Sequence, residues 1–462
     1  NRPNKSLLLA ICAACIGGTF QYGYNISIIN APTKSVQNFI NQTWLERYDE
    51  DISEQYLTLL WSNIVSIFTI GGFIGASIGG TLAIRFGRKG TLMMNNAFAL
   101  LAALLMGLSY PTGLFELLIV GRFFTGVNAG KYVSPLYLGE IAPRALRGAM
   151  AMGTSIFITG GILTGQVIGL NELLGKEEHW PILLCTTCIP AFLQLIILPW
   201  FPESPRYLLI DRGDDVGCRK AMKQLHGADN FDREWEDMER ERVSAIGIKP
   251  KKPWQLFMDR SLRWQVLTII LLNAAQQLNG INAIYFYTDY VFEEAGIPDV
   301  NIPYVTVGTG ACECLTALTC VIGSFSLFFT IFYIGAGLWM PYLSMGCVFA
   351  FILSFGLGPG GVTNILTTEL FTQTSRPAAY MIGGSVNWLS FFVIGMVFPF
   401  IVYCFLVFLV ISVLVAVYIF LVVPETKNKT FLEIHTEFQS GDKRKASKAD
   451  DGPRTTLLST PL

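Results

Sequence analysis

Residues 55–89 read QYLTLLWSNIVSIFTIGGFIGASIGGTLAIRFGRK, and positions 55–84 of this stretch carry no charged side chain. Three cations then follow at Arg85, Arg88 and Lys89. About 20 apolar residues are enough for a helix to cross the ~30 Å hydrocarbon core of a bilayer. The stretch therefore predicts a transmembrane helix that ends in a basic loop.

The same pattern recurs along the chain. Of the 462 residues, 52% are hydrophobic and only 15% are charged, whereas a soluble protein carries about 25% charged residues. The composition therefore predicts an all-α membrane protein that has the lipid bilayer as a partner. The other early charge-free windows are 6–33, 90–115, 148–171, 180–202 and 264–288.

Several function classes are not supported by the sequence. With a formal net charge of −1, the chain lacks the excess of basic residues that is typical of nucleic-acid-binding proteins, so no nucleic-acid partner is expected. The 10 cysteines include two CxxC pairs, Cys12/Cys15 and Cys185/Cys188, but both lie inside apolar windows and no histidine stands at ligand spacing, so no metal site or disulfide framework is expected. There is no HExxH or Walker motif, and the GxSxG match at 75–79 lies inside a charge-free window, so we expect neither an enzyme nor a cofactor.

The basic residues predict the topology, because short cytoplasmic loops are enriched in Lys and Arg. Counted as spans, Lys5 precedes the first, Arg88 follows the second, a fourth span opens at Gly121-Arg122 and ends near Glu140, and Arg206 follows the sixth. Residues 300–375 have room for three further crossings and 377–424 for two. Together with the window at 264–288, these give twelve transmembrane helices, with both termini in the cytoplasm.

The charges also suggest two halves, because residues 203–263 hold 25 of the 67 charged side chains. A Glu and an Arg stand seven apart at Glu140 and Arg147, and again at Glu369 and Arg376. This weak repeat predicts two six-helix halves around a central site, as in transporters. The predicted units are a first half at 1–202, a cytoplasmic linker with short helices at 203–263, a second half at 264–424 and a cytoplasmic tail at 425–462.

Several motifs resemble the sugar-porter branch of the major facilitator superfamily, and within it the animal class II facilitative hexose transporters. They are RFGRK at 85–89, Gly121-Arg122, PESPR at 202–206, QQL at 276–278, GIN at 280–282 and PETK at 424–427. The resemblance implies a major facilitator fold with 12 transmembrane helices. It also implies passive hexose transport by alternating access, carried out in the plasma membrane by a monomer.

Uncharged amides at membrane depth suit a hexose, because each sugar hydroxyl both donates and accepts hydrogen bonds. Gln276 and Asn282 lie 600° apart on an ideal helix, so a pocket that uses both needs a break in the helix, and Gly280 is a candidate. The resemblance places hexose binding at Gln166, Gln276, Gln277, Asn282 and Asn387, with Trp388 stacking nearby. We add Asn364 and Glu313, although Glu313 could instead be a structural acid paired with Lys131 or with a buried hydroxyl.

A second set of charged residues resembles the family's salt-bridge network, which closes the cytoplasmic side in one state. The alternative interpretation is that these charges only set the membrane topology. The set consists of Arg85, Arg88, Arg122, Glu140, Arg147, Glu203, Arg206, Glu369, Arg376 and Glu425.

Two departures from the family pattern bear on the substrate. Asn279 and Asn364 stand where glucose-preferring relatives carry Ser and Trp, which favours fructose, with glucose as a second substrate. A proton-coupled sugar or polyol symporter and a urate transporter are the alternatives. Related symporters have an acid where this chain has Asn25, which favours passive flow. Asn41, in the sequon Asn41-Gln42-Thr43, is a candidate glycan acceptor in the first outer loop.

Overall fold

The computed structural model describes residues 4–130, 133–143, 147–227, 232–245, 252–294, 296–320, 340–357, 375–398 and 404–422, together with Thr363, Leu366, Thr367, Leu370 and Phe371. Within these ranges the regular structure is helical and contains no β-strand. The all-α expectation is therefore confirmed, whereas the count of twelve crossings stays a prediction.

The first part of the chain forms long helices joined by short turns. α1 and α2 are continuous through a π-helical turn at Ile16–Phe20, so Lys5–Ser27 is one membrane-length segment. The helices are α1 (Lys5–Cys15), α2 (Gln21–Ser27), α3 (Thr33–Tyr48), α4 (Glu54–Phe86), α5 (Arg88–Thr112), α6 (Glu116–Gly130), α7 (Val133–Ile141), α8 (Arg147–Ile168), α9 (Trp180–Cys185) and α10 (Cys188–Ile197).

The charged segment contains short helices, and long helices resume after it. The short ones are α11 (Asp215–His226), α12 (Asp232–Ala245) and α13 (Pro253–Met258). The later ones are α14 (Arg263–Leu278), α15 (Ile281–Phe286), α16 (Thr288–Glu294), α17 (Ile302–Cys320), α18 (Met340–Leu357), α19 (Arg376–Val397) and α20 (Cys404–Val422).

Five segments among the described residues are long and apolar enough to cross a membrane. The quoted stretch lies in one of them, α4, whose 33 residues begin at an N-cap in which Ser53 accepts a hydrogen bond from the amide of Tyr56. A side-chain oxygen at this position satisfies one of the helix's unpaired amides. The five are Lys5–Ser27, Glu54–Phe86, Arg88–Thr112, Trp180–Trp200 and Ala378–Val397.

Helices α4 and α6 approach closely along a seam of glycines. A Cβ placed on Gly126 would lie 1.9 Å from the carbonyl oxygen of Phe68, and one on Gly71 would lie 2.1 Å from that of Phe123. Small residues allow such close packing, which stabilises helix pairs in lipid where hydrophobic burial contributes little. The seam makes α4 and α6 a tightly packed pair.

Helices from the first part pack against helices from the second part at two places. α4 runs antiparallel to α19, so that Ser66 lies near Gly395 and Gly80 lies near Met381. α8 packs against α17, where Gln166 lies beside Gly310. We name the two ends of the bundle after Arg88, at the start of α5, and Lys34, in α3 at the opposite end.

Candidate functional site

Three of the expected amides form one buried hydrogen-bonded group between α14, α15 and α19. The Nε2 atom of Gln277 donates to Oδ1 of Asn387 over 2.7 Å, and Asn282 donates to Oε1 of Gln277. All three side chains are less than 9% exposed. The structure thus brings together residues that are 110 positions apart in the sequence.

The expected helix break is present at Gly280. α14 ends at Leu278, and α15 begins at Ile281 after Gly280 adopts a φ of 89°. This left-handed conformation strains most residues but not glycine. Asn279 accepts a hydrogen bond from the amide of Ile281 over 3.0 Å, which caps the new helix. The break places Gln277 and Asn282 side by side, although they do not share a stripe on a continuous helix.

Trp388 lies next to Asn387 and faces the first part of the chain. Its ring meets the rings of Tyr22 and Phe68 edge-on, with centroids 5.7 Å and 5.6 Å away, and stacks on Phe391 at 5.8 Å. The indole fits because Gly72 has no side chain, and a Cβ there would lie 2.3 Å from the ring. The buried indole Nε1 has no hydrogen-bond partner among the residues that the structure describes. It is therefore a spare donor between the two parts.

Gln166 occupies the other contact between the two parts, on α8. Its Nε2 atom donates to the hydroxyl of Thr309 on α17 over 3.4 Å, a long hydrogen bond. Its side-chain oxygen, Oε1, is buried and has no hydrogen-bond partner within the described ranges. Burying a polar atom without a partner costs free energy, so this oxygen is a spare acceptor that a ligand hydroxyl could satisfy.

The remaining members of the expected binding set differ in their surroundings. Gln276 is half-buried, one position before Gln277. Glu313 lies on α17, is 6% exposed, and accepts a hydrogen bond from the hydroxyl of Tyr285. Of the two structural partners considered for this acid, the buried hydroxyl is therefore observed. Lys131 and Asn364 lie outside the described residues.

A charged cluster forms at the Arg88 end, as expected from the motifs. The guanidinium of Arg88 lies 2.7 Å from Oε1 of Glu140 and 2.7 Å from Oδ2 of Asp211. It also stacks over the ring of Tyr207 at 4.8 Å. Glu140 in turn accepts a hydrogen bond from Ser204. The cluster ties α5, α7 and the start of the charged segment together.

Glu203 belongs to the same cluster through the backbone. Its Oε1 accepts hydrogen bonds from the amides of Arg88 and Lys89, both over 3.0 Å, at the first turn of α5. A carboxylate is favourable there because a helix N-terminus carries partial positive charge. Lys89 turns away from this carboxylate and donates to the carbonyls of Pro199 and Phe201.

Arg122 does not lie in this cluster. Its assignment to the cytoplasmic network is therefore wrong. It lies two turns into α6, on the side of the bundle that carries Glu116, and is 1% exposed. Its Nη1 donates to the carbonyl of Asn25 over 3.0 Å, and its guanidinium lies over Phe68 at 4.7 Å. A charge in a span needs such partners, and among the described residues no carboxylate pairs with it.

The other members of the network are only partly visible. Arg85 is exposed and stacks over Phe86 at 5.5 Å, and Arg206 is buried at the same end. Arg147 and Arg376 begin α8 and α19, but their side chains are outside the described part. Glu369 and Glu425 lie outside it altogether. The sequence repeat of Glu and Arg is thus an open expectation.

Sequence reasoning missed the contacts at the Lys34 end. Asn30, which follows α2, donates to the carbonyl of Tyr285 and, over 3.4 Å, to the hydroxyl of Thr288. Lys34 forms an exposed ion pair with Asp299 at 3.2 Å. The sequence offered one local indication of Asn30, which lies two positions before Pro32, between a span and a polar segment. Its partner more than 250 positions away left no mark in the sequence.

Comparison with known proteins gives the family. Residues 9–438 match the model of the family described as "Sugar (and other) transporter". Human solute carrier family 2, facilitated glucose transporter member 11, is 47% identical over 460 residues, covering 94% of this chain and 93% of its own length. Member 5 from Equus caballus is 46% identical over 471 residues, with coverages of 96% and 94%.

Solved structures have the same fold. The proton:xylose symporter XylE bound to 6-bromo-6-deoxy-D-glucose is 20% identical and superposes with a TM-score of 0.77, covering 95% of this chain and 100% of that one. The inward-open xylose transporter XylE from E. coli is 22% identical and has a TM-score of 0.69, with coverages of 93% and 99%. At these identities the likeness shows the fold, which is that of the major facilitator superfamily. With the family match over most of its length, the chain belongs to the sugar transporter family, whose members are multi-pass membrane transporters and not enzymes.

Proposed function

We propose that this protein is a facilitative hexose transporter that works by alternating access. The observation that carries the proposal is the buried group of Gln277, Asn282 and Asn387 beside Trp388, where the two parts of the chain meet. The relatives named as facilitated glucose transporters support the same substrate class.

The site suits a neutral polyhydroxy compound. Amides both donate and accept, so they can replace the water that each sugar hydroxyl loses on binding. Gln166 offers an unpartnered acceptor and Trp388 an unpartnered donor, and an aromatic ring provides an apolar surface for the face of a sugar. The described amides bring no charge that would select an ionic substrate such as urate.

Passive flow is supported by the surroundings of Arg122. In related proton-coupled symporters, an acid stands where this chain has Asn25. The partner of Arg122 is the backbone carbonyl of Asn25, and the side chain of Asn25 is an amide that does not titrate. We therefore favour uniport over proton coupling.

The remaining expectations concern the placement of the chain. We propose six-helix halves at 1–202 and 264–424, with the Arg88 end and both termini in the cytoplasm of a plasma-membrane monomer. Basic residues at the Arg88 end support this orientation. The exposed Asn41 lies in α3 at the opposite end, where a glycan could be attached.

The Arg88 cluster is proposed to stabilise one of the two states. Buried and half-buried ion pairs that join one half to the linker can bias an equilibrium without touching substrate. The pair of Arg88 and Glu140, with side chains 11% and 8% exposed, is screened less by salt than a surface pair would be. Its separation would accompany opening at that end.

Fructose is the proposed substrate, with glucose as the second. Asn364 stands where glucose-preferring relatives carry Trp, and this smaller, more polar side chain gives more room to a furanose ring. Asn279, in place of their Ser, changes the neighbouring face. The test is counterflow of labelled fructose in proteoliposomes, with and without a pH gradient. Uptake that equilibrates in both conditions supports the proposal, and accumulation driven by an inward proton gradient would contradict it.

A further inference from the structure

Glu313 is a buried acid on α17, and its hydrogen bond goes to Tyr285. It lies on the face of α17 that also carries Thr306, Thr309 and Gly310, all of them buried. Positions three and four apart share one face of a helix. Thr309 on this face contacts Gln166, so Glu313 lies one turn from the candidate sugar site.

The partner of Glu313 belongs to the segment that follows the helix break. The hydroxyl of Tyr285, in α15, donates to the carboxyl group of Glu313. Tyr285 is 2% exposed, so the hydrogen bond is shielded from water. Such a bond to a carboxylate is stronger than one between neutral groups. This hydrogen bond thus holds α15 against α17.

The same residue carries the contact between the two parts at the Lys34 end. The backbone carbonyl of Tyr285 accepts a hydrogen bond from Asn30, which also reaches Thr288. Asn30 follows α2, in the first part of the chain. One residue, Tyr285, therefore connects Glu313 through its side chain to Asn30 through its backbone.

We propose that Glu313 is a positioning residue that holds α15 against Asn30 through Tyr285 and so stabilises the closed form of the Lys34 end. α15 can pivot relative to α14, because Gly280 separates the two helices. The inference rests on the proposed alternating-access function. It assigns Glu313 to the gate, and its carboxyl group acts without contacting the sugar.

The expected consequence is a shift in population. Loss of a buried hydrogen bond to a charged group should raise the ratio of open to closed molecules by about tenfold or more. More open molecules lower the apparent KM for sugar supplied at that end. Slower closing lowers kcat at the same time. A residue that merely stabilised the fold would not separate these two constants in this way.

The test measures the Lys34 end directly. Spin labels are introduced through non-canonical amino acids at Asn38 and at Val300, which is 79% exposed, so that the ten native cysteines stay untouched. Double electron–electron resonance, recorded without sugar, then gives the distribution of distances between the two labels, and therefore between the first and second parts of the chain. Because no transport is measured, this result stands even if the protein carries no hexose, and counterflow then tests that point separately.

The variants are Glu313→Ala, Tyr285→Phe and the double variant. Each should increase the long-distance population about tenfold, and the double variant should add nothing further because one hydrogen bond is lost in all three. Glu313→Gln should stay close to wild type, since the amide oxygen can accept the same bond. If Glu313→Ala does not fold, Tyr285→Phe still removes only one hydroxyl.

Two further variants serve as controls. Asn30→Ala should open the Lys34 end whatever the role of Glu313. Tyr418→Phe removes another hydroxyl, which meets Thr268 over 3.1 Å between α14 and α20, and should leave the distances unchanged. The proposal is overturned if Asn30→Ala shifts the distances while Glu313→Ala and Tyr285→Phe do not, or if the effects of the last two add.

Discussion

Replacing Gln166 with alanine separates a ligand-binding amide from one that only joins helices. The hydrogen bond to Thr309 is long, at 3.4 Å, and the Oε1 atom has no partner. Losing this hydrogen bond should therefore cost less than about 1 kcal/mol of stability, to which the packing lost with the side chain is added. If a sugar hydroxyl donates to Oε1, binding should lose about 0.5–1.5 kcal/mol, or roughly 2- to 12-fold in affinity.

Gln194 is the matched control because its bonds are all internal. Its Nε2 donates to the carbonyls of Ala13 and Ala14 over 3.0 Å and 2.9 Å, and its Oε1 accepts from Asn96 over 2.9 Å. Gln194→Ala should lower the melting temperature in detergent more than Gln166→Ala does, while sugar affinity holds. Counterflow KM and thermal melts of both variants decide the matter. Unchanged affinity in Gln166→Ala, or equal losses in both proteins, would refute the reasoning.

Three other predictions follow from single residues. Asn364→Trp should shift the fructose-to-glucose ratio toward glucose by about 1–3 kcal/mol in competition assays, and an unchanged ratio would contradict the selectivity argument. Gly280→Ala should cost about 1–3 kcal/mol, seen as a lower melting temperature, because φ is 89° and a Cβ would lie 2.3 Å from the ring of Phe408. Burial lowers the pKa of His226 below its usual 6.5, so the unfolded chain binds the proton more readily. Stability should therefore fall as the pH drops through 6.5, and His226→Gln should weaken this dependence in melts at pH 7.5 and 5.5.

Much of the membrane architecture could be predicted because lipid imposes simple rules on the sequence. The charge-free window at 55–84 lies within α4, and the break at Gly280 follows from amides that cannot share one stripe. The first outer loop was expected only as a connection with the candidate glycan acceptor Asn41, yet it contains the 16-residue helix α3. The buried face of α3, which includes Val36 and Phe39, is too short for a span, so the sequence analysis did not recognise this helix.

Contacts between distant residues were harder to predict. The amides were identified as a set, but the bond between Gln277 and Asn387 depends on how α14 and α19 pack, which no local pattern encodes. The position of Arg122 was misjudged for a physical reason. Cations usually mark the ends of spans, and this one is buried two turns inside a helix by a carbonyl and an aromatic ring.

The burial of Arg122 has a consequence for how the protein is made. An arginine near the centre of a span costs about 2.5–3.5 kcal/mol on insertion, so α6 is a poor membrane helix by itself. The groups that accept its guanidinium, the carbonyl of Asn25 and the ring of Phe68, lie on helices synthesised earlier. Both helices precede α6 in the chain, so the partners of Arg122 are synthesised before this charge enters the bilayer. The order of the helices along the chain thus suits its burial.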